Sequence, residues 1–466
     1  MRVLLVKPPG TSDSVQPPLG LAYIAAVLSA DGHEVAVLDG LLENMDKRSF
    51  QERLWSLQPG LVGFQCLSHD IASVKQLAES TRNYSGDCKV VVGGPHPTCT
   101  KHGGLDYFGD LVDYAFRGEA EPGFPMLIKI LESGNEQGRD LRTVPGLAYR
   151  EGGAVRVNAV HRPDLKDLPL PRWDLLKPET YPPSPNAAFF QKWPTAPIIT
   201  SRGCNHHCSF CAASIISGSK VRYRPIESVL EEIGVLRERG IQEIHIEDDS
   251  FTSDRNYVET FCDAISSTFP DLAWACPNGV RIDTLDLELL KLMKKSGCHE
   301  VSLGVESGSQ RILDRVGKGQ TLGEVRAAVE KINKAGMVAI GFFIIGFPGE
   351  SIEEAEETIR FSLSLPLRRA NFMLFRPLPG TGSWVQAGKP LPDTLPPSFA
   401  EVSYVPAGWS ARGLKKMQRK AFLKFYMRPG AALHLVTDIR SPGHFLWIAK
   451  RIFRWMISTG QKGSQS

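Results

Sequence analysis

No uninterrupted apolar run in these 466 residues approaches the roughly 18 needed to span a bilayer, so a transmembrane helix is not expected. The opening MRVLLVKPPG has too short an apolar core before its Pro-Pro-Gly turn to read as a secretory signal, and the expected location is therefore cytoplasmic. Net charge is scarce too: 54 Lys and Arg against 51 Asp and Glu leave +3, too little to argue for nucleic acid. No short-period solenoid repeat occurs. The nine cysteines are odd in number and come without an export signal, which argues against a disulfide framework. What remains is a chain long enough for two or three domains with cores of their own.

Residues 1–140 alternate short β-rich runs with amphipathic helical stretches, the pattern of a doubly wound parallel sheet. The runs are Val3 to Val6, Val35 to Leu38, Leu61 to Cys66, Lys89 to Val92 and Val112 to Phe116. Ligands of such sheets lie beyond the carboxyl ends of the strands, here at the turns Pro8-Pro9-Gly10, Cys66-Leu67-Ser68, Gly93-Gly94-Pro95 and Arg117-Gly118-Glu119. Residues 141–195 read as a hairpin turning at Gly152-Gly153 and a proline-rich linker. From 196 to 385 the β-then-α rhythm resumes, with strands expected at Ile198 to Thr200, Glu243 to Ile246, Ala273 to Ala275, Glu300 to Leu303, Val338 to Ile345 and Ala370 to Phe375. Six such units suggest a partial (β/α)6 barrel whose chemistry sits at the strand carboxyl ends. Residues 386–466 form a basic helical C-terminal region. From Ser410 onward there are twelve Lys or Arg and one acid, Asp438, so a body of −8 carries a tail of +11.

Three cysteines fall within eight residues, in Ser201-Arg202-Gly203-Cys204-Asn205-His206-His207-Cys208-Ser209-Phe210-Cys211, directly after the first expected barrel strand. Thiolates at i, i+4 and i+7 on a loop can hold one corner of a four-iron cube and leave the fourth iron open for chemistry. Zinc also takes thiolates, and His206 or His207 could complete four ligands. A structural zinc site usually draws a second ligand pair from farther along, and no matching Cys-x-x-Cys occurs.

Cys204, Cys208, Phe210 and Cys211 make a Cys-x-x-x-Cys-x-aromatic-Cys motif that resembles the radical S-adenosylmethionine (SAM) enzymes. The resemblance continues through Ile246-Glu247-Asp248-Asp249-Ser250-Phe251, Arg281-Ile282-Asp283, Gly304-Val305-Glu306-Ser307-Gly308, Gly346-Phe347-Pro348-Gly349-Glu350 and Pro377-Leu378-Pro379-Gly380-Thr381. The first domain, with Val92-Gly93-Gly94-Pro95-His96-Pro97-Thr98 and Arg117-Gly118-Glu119-Ala120-Glu121, is similar to the cobalamin-binding branch of that family. The resemblance covers roughly residues 1 to 385. It implies a Rossmann-like cobalamin domain, a 4Fe-4S cluster on Cys204, Cys208 and Cys211, and SAM bound at the open iron and cleaved to a 5′-deoxyadenosyl radical.

Under that resemblance, Phe210, Glu247, Asp248, Asp249, Arg281, Glu306, Ser307 and Gly346 are the SAM-side candidates. A carboxylate among residues 247–249 could accept from the SAM ammonium, or cap the next helix instead. Arg281 could pair with the SAM carboxylate or make an ordinary structural ion pair. The two oxygens of Glu306 suit a ribose diol, and its burial calls for a polar partner. Gly346 would allow backbone to approach adenine, or simply turn the chain. On the cobalamin side the candidates are Pro9, Gly10, Gly20, Cys66, Leu67, Ser68, Gly93, Gly94, His96, Gly118 and Glu119. No Gly-x-Gly-x-x-Gly follows the first strand, which disfavours a dinucleotide. The Asp-x-His-x-x-Gly that supplies a lower cobalt ligand in other cobalamin proteins is absent, so cobalt is expected without a protein histidine below it.

The expected activity is methylation of an unactivated carbon in a small-molecule or lipid-like substrate, with electrons from a donor such as flavodoxin or ferredoxin. The alternatives are a cyclisation or rearrangement that keeps both cofactors, and a zinc-binding regulatory or interaction protein. Phe445 to Ile457 reads as a helix with a wide aromatic face and a basic stripe. It could lie on an anionic membrane or pack over the barrel with its lysines in water.

Overall fold

In the computed structural model, alternation within each strand of the first sheet decides which helices it takes. Residues 1–10, 15–134, 140–183, 189–388, 396, 401–439, 442–446, 448 and 449 are described. The strands are β1 (Arg2–Lys7), β2 (Glu34–Asp39), β3 (Leu61–Gln65), β4 (Lys89–Gly93) and β5 (Tyr114–Phe116). Val3 and Leu5 face the helices Leu19–Ala30 and Gly123–Ser133, whereas Leu4 and Val6 face Lys47–Leu57 and Ile71–Tyr84. Both faces are therefore buried, as a parallel sheet requires. The hairpin expected in the linker belongs to this sheet: β6 (Leu147–Glu151) pairs antiparallel with β5, and β7 (Ala154–Val157) with β6. The order is β2-β1-β3-β4-β5-β6-β7, so the first unit runs to Val157, past the expected boundary at 140. The physical reason is that β5 would otherwise present an open edge of unpaired backbone groups.

The second sheet holds six parallel strands, β8 (Thr195–Ile198), β11 (Glu243–Ile246), β12 (Ala273–Val280), β13 (Cys298–Glu306), β14 (Val338–Ile345) and β15 (Arg369–Leu374); a separate ribbon pairs β9 (Ser201–Arg202) with β10 (Arg222–Tyr223). The order β15-β14-β13-β12-β11-β8 is that of a partial barrel, and the α/β class expected from the sequence is the class found. The first barrel strand begins three residues before its expected start and ends before Thr200, which leaves the ladder and gives its N–H to Asp248 at 2.7 Å. Pro197 is accommodated because β8 is an edge strand.

The units meet through an apolar seam with charge buried in it. Leu19, Ala22 and Tyr23 of the first unit and Leu165, Leu168, Trp173 and Leu176 of the linker join the barrel core. Inside that seam the fully buried Arg224 donates to Glu232, to the Ile199 carbonyl at 2.8 Å and to Tyr23 Oη at 3.2 Å. Trp173 Nε1 donates to the second Glu232 oxygen at 3.1 Å, so one carboxylate ties linker, barrel and first unit together.

After β15 the helix Ala411–Tyr426 packs Leu414, Met417, Gln418, Ala421 and Phe425 against the barrel. Among the described residues no helix is long and apolar enough to cross a membrane. Most of the basic face of the expected helix 445–457, from Lys450 onward, lies outside the described residues.

Removing one partner of a buried ion pair strands the other without water. Glu232→Ala is expected to lower the stability of the iron-free protein by about 3–5 kcal/mol, read from its anaerobic urea midpoint.

Candidate functional site

The cysteine loop leaves the barrel through β9 and returns through β10, with Arg202 directly opposite Arg222. Gly203 has φ +112°, and a Cβ there would stand 2.2 Å from the Lys220 carbonyl oxygen, so only glycine fits between the two strands. The loop is pinned by Cys204 N–H donating to Gly218 O at 2.9 Å, Ser209 N–H to Val316 O at 2.9 Å and Ser383 N–H to Ser209 O at 2.7 Å. All nine cysteines are unbridged. Burial pushes the Cys208 thiol up, and the Cys204 thiol raises it further. The donor set is therefore three thiols on a loop shaped by backbone hydrogen bonds. Among the described residues no three His, Cys, Asp or Glu side chains close around one ion. One thiolate for each of three irons is a donor set that fits an iron-sulfur cluster. Phe210 packs edge-on against Phe347, centroids 5.4 Å apart, joining the loop to the turn after β14.

The carboxylates after β11 divide their tasks. Asp248 is buried and accepts from Thr200 N at 2.7 Å, Thr200 Oγ1 at 2.6 Å and Ser201 Oγ at 2.7 Å, so it holds the root of the cysteine loop and has little left for a ligand. Burial raises its carboxyl to about 6. Glu247 and Asp249 point the other way and line open space. Arg281 binds Asp283 at 3.0 Å and donates to Lys318 O at 2.6 Å. Glu306 ends β13 at φ +64°, beside a register shift between Gly304 and Glu306, and its expected polar partner is Lys318, with Nζ 2.7 Å from Oε1. Ser307 is buried against Thr358 Oγ1 at 3.1 Å. Gly346 is covered by the C-terminal helix, since a Cβ there would stand 2.9 Å from Leu414.

One cleft of about 310 Å³ opens between the carboxyl ends of the two sheets, within the size range of an ordinary ligand pocket. Gly20, Gly93, Gly94, Gly118 and Glu119 wall it from the first unit, and Ser201, Arg202, Glu247 and Asp249 from the barrel. Its floor is apolar, with Leu21, Phe64, Val91, Val92, Phe116 and Phe124. A Cβ on Gly20 would meet nothing within 4 Å, and one on Gly93 only Phe116 Cβ at 4.0 Å, so small residues keep the wall open. No histidine is among the described residues that wall the cleft. A broad apolar floor with glycine walls fits the flat face of a corrin.

Other candidates are set back from this wall. Cys66 is fully buried in the first-unit core, donating to the Leu67 carbonyl at 3.4 Å, because β3 ends one residue sooner than expected. His96 is buried behind it, with Nδ1 3.0 Å from Ser68 Oγ, and burial pushes it down to about 4. Pro9, Gly10, Leu67 and Ser68 likewise lie outside the cleft lining.

Sequence reasoning missed Lys318 and the loop Val316 to Gln320. That loop receives Ser209 N–H, holds Arg281 through Lys318 O and sends Gln320 Nε2 to Gly304 O at 3.1 Å. The need of Glu306 for a cation was the one signal available. Also missed were Glu121 and Arg222, which bind in the seam between the units.

The model of the radical SAM superfamily matches residues 198–362, and that of the B12 binding domain residues 10–128. An uncharacterized methyltransferase of Pyrococcus horikoshii is 33% identical, with 98% of each chain covered. An anaerobic magnesium-protoporphyrin IX monomethyl ester cyclase of Rubrivivax gelatinosus is 27% identical over 83% of this chain and 70% of its own. The solved radical SAM methyltransferase TsrM of Kitasatospora setae, with cobalamin and a 4Fe-4S cluster bound, shares the fold: its TM-score is 0.68 at 21% identity, covering 83% of this chain and 74% of that one.

At the end of β14, Glu350 is buried and accepts from the N–H groups of Gly346 and, at 3.3 Å, Phe347. Burial raises its carboxyl to about 8. A group protonated to that pH when folded, but only to about 4.3 when unfolded, binds more protons in the native state, so stability falls as pH rises through that window. Glu350→Gln removes that contribution. The melting temperature of the variant relative to wild type is expected to rise between pH 6 and pH 9.

Proposed function

The chain belongs to the radical SAM superfamily, in its branch with a B12 binding domain, and from that membership we propose that it methylates an unactivated carbon of its substrate. Its cofactors are a 4Fe-4S cluster, SAM and cobalamin. When bound, the cluster and SAM supply a 5′-deoxyadenosyl radical and cobalamin carries the methyl group.

The observation that carries this reading is the cleft walled by the carboxyl ends of both sheets. The chain's own residues have these parts. Cys204, Cys208 and Cys211 hold the cluster. Asp248 fixes the start of their loop through Thr200 and Ser201. Glu247 and Asp249 present carboxylates to a cationic ligand in the cleft, and Glu306, held by Lys318, presents one at the barrel mouth. Gly20, Gly93, Gly94 and Gly118 keep the wall flat against the corrin, and the apolar floor excludes water from a reactive radical.

A second reading, cyclisation or rearrangement without methyl transfer, is favoured by the similarity to the Rubrivivax cyclase. Anaerobic reconstitution with iron, sulfide, reductant, SAM and cobalamin separates the two. Methyl transfer requires 5′-deoxyadenosine together with a product heavier by one methylene unit. 5′-Deoxyadenosine with an isomeric or dehydrogenated product supports the second reading.

The substrate is a small or lipid-like molecule, the electron donor a flavodoxin or ferredoxin, and the location the cytoplasm with peripheral membrane contact. The contact rests on the C-terminal region. Its helix Ala411–Tyr426 exposes Lys416, Arg419 and Lys424, while Leu423, Met427, Leu433, Phe445 and Leu446 are exposed large apolar side chains. The one acid of the tail, Asp438, is turned inward to Arg368 and Arg369, leaving the outer surface basic. Anionic lipid attracts such a surface by about 1 kcal/mol per basic residue. The protein is expected to cosediment with phosphatidylserine vesicles at low salt and to be released by high salt; no cosedimentation at low salt would exclude the contact.

A further inference from the structure

The loop that carries the three cysteines is closed at its root by the short ribbon of β9 and β10. There Arg202 and Arg222 stand opposite each other, and the ribbon's other residues, Ser201 and Tyr223, bring no negative charge. Two cations facing each other across a ribbon repel. Their side chains are only 10% and 12% exposed, so water does little to screen them.

The counter-charge comes from the other domain. Glu119 receives Arg222 and lies 3.2 Å from Arg202 Nη1, bridging the two guanidiniums. Glu121 accepts from Arg202 Nη2 at 2.7 Å. Arg222 also donates to the carbonyls of Pro163 at 2.6 Å and Ser217 at 3.1 Å, within the linker and the cysteine loop. Glu119, Glu121 and Arg202 all line the cleft between the sheets. The root of the cysteine loop is thus neutralised by acids on the loop after β5 of the opposite domain, at the wall of the site proposed for cobalamin.

We propose that Glu119 and Glu121 are positioning residues through which the first domain holds the iron-binding loop closed, and that cobalamin in the cleft tightens this hold. The inference rests on the cluster and cobalamin sites proposed above. Without Glu119, two adjacent buried arginines share only Glu121, the ribbon opens and Cys204, two residues beyond Arg202, loses its fixed place. Because the network forms part of the cleft wall, an occupant that favours the closed arrangement slows iron loss.

The test follows iron release to a chelator, by the bleaching of the cluster absorbance under anaerobic conditions, in reconstituted full-length protein with and without hydroxocobalamin. Wild type is expected to lose iron several-fold more slowly with hydroxocobalamin present. Glu119→Gln, close in shape and without charge, is expected to lose it about five to ten times faster than wild type and to gain no protection from cobalamin. Arg222→Met in the Glu119→Gln background removes the repulsion and is expected to bring the rate back to within about twofold of wild type. A space-filling role for Glu119 would give no such rescue. An unchanged rate in Glu119→Gln, or no rescue by Arg222→Met, overturns the proposal. If Glu119→Gln does not fold by far-ultraviolet circular dichroism, Glu121→Gln keeps the bridge between the arginines and is expected to release iron about twofold faster; an unchanged rate there overturns it equally. Wild-type protein that takes up no iron would instead remove the cluster assignment on which the inference rests.

Discussion

Arg202, Arg222 and Arg224 are withdrawn from water where the two sheets meet, and a buried guanidinium obliges the chain to bring it an acid. Glu119 and Glu121 come from the loop after β5, and Glu232 from the helix after β10. Replacing one member leaves another charge stranded, so the seam has little freedom to slide. The two sets of strand ends are thereby held facing each other, and the cleft between them exists because of that orientation.

The mouth of the barrel shows the same chemistry put to different uses. Asp248 spends both oxygens on Thr200 and Ser201, whereas one oxygen of Glu350 takes two backbone N–H groups and one oxygen of Glu306 takes Lys318. Glu247 and Asp249, between and beside them in sequence, face the cleft. Neighbouring acids on one loop thus divide into structural and ligand-facing groups by the direction each leaves the strand. The loop Val316 to Gln320 links three of the elements involved, touching the cysteine loop, Arg281 and the end of β13.

Much of the fold was legible because its signals are local. The buried strands β1, β3, β4 and β14 are apolar runs, and the motif from Cys204 to Cys211 lies within one loop. Less legible was whatever depended on partners distant in sequence. The hairpin Leu147 to Val157 looked like part of a linker because its pairing partner, β5, lies some thirty residues upstream. Cys66 stood among the strand ends expected to face a ligand, and only packing decides whether such a residue is reached. Packing in the first-unit core buries it completely.

The sequence by itself determined the α/β class, the order of the two sheets along the chain, the cysteine loop and the separation of an acidic body from a basic tail. Each of these follows from periodicity, spacing or count, which need no knowledge of what lies across the fold. Only the tertiary structure decided which carboxylates face the cleft, that Lys318 answers Glu306, and that acids of one domain neutralise arginines at the root of the other's cysteine loop. Those are contacts between residues from 12 to 103 positions apart, fixed by the cost of leaving any one of them buried and unpaired.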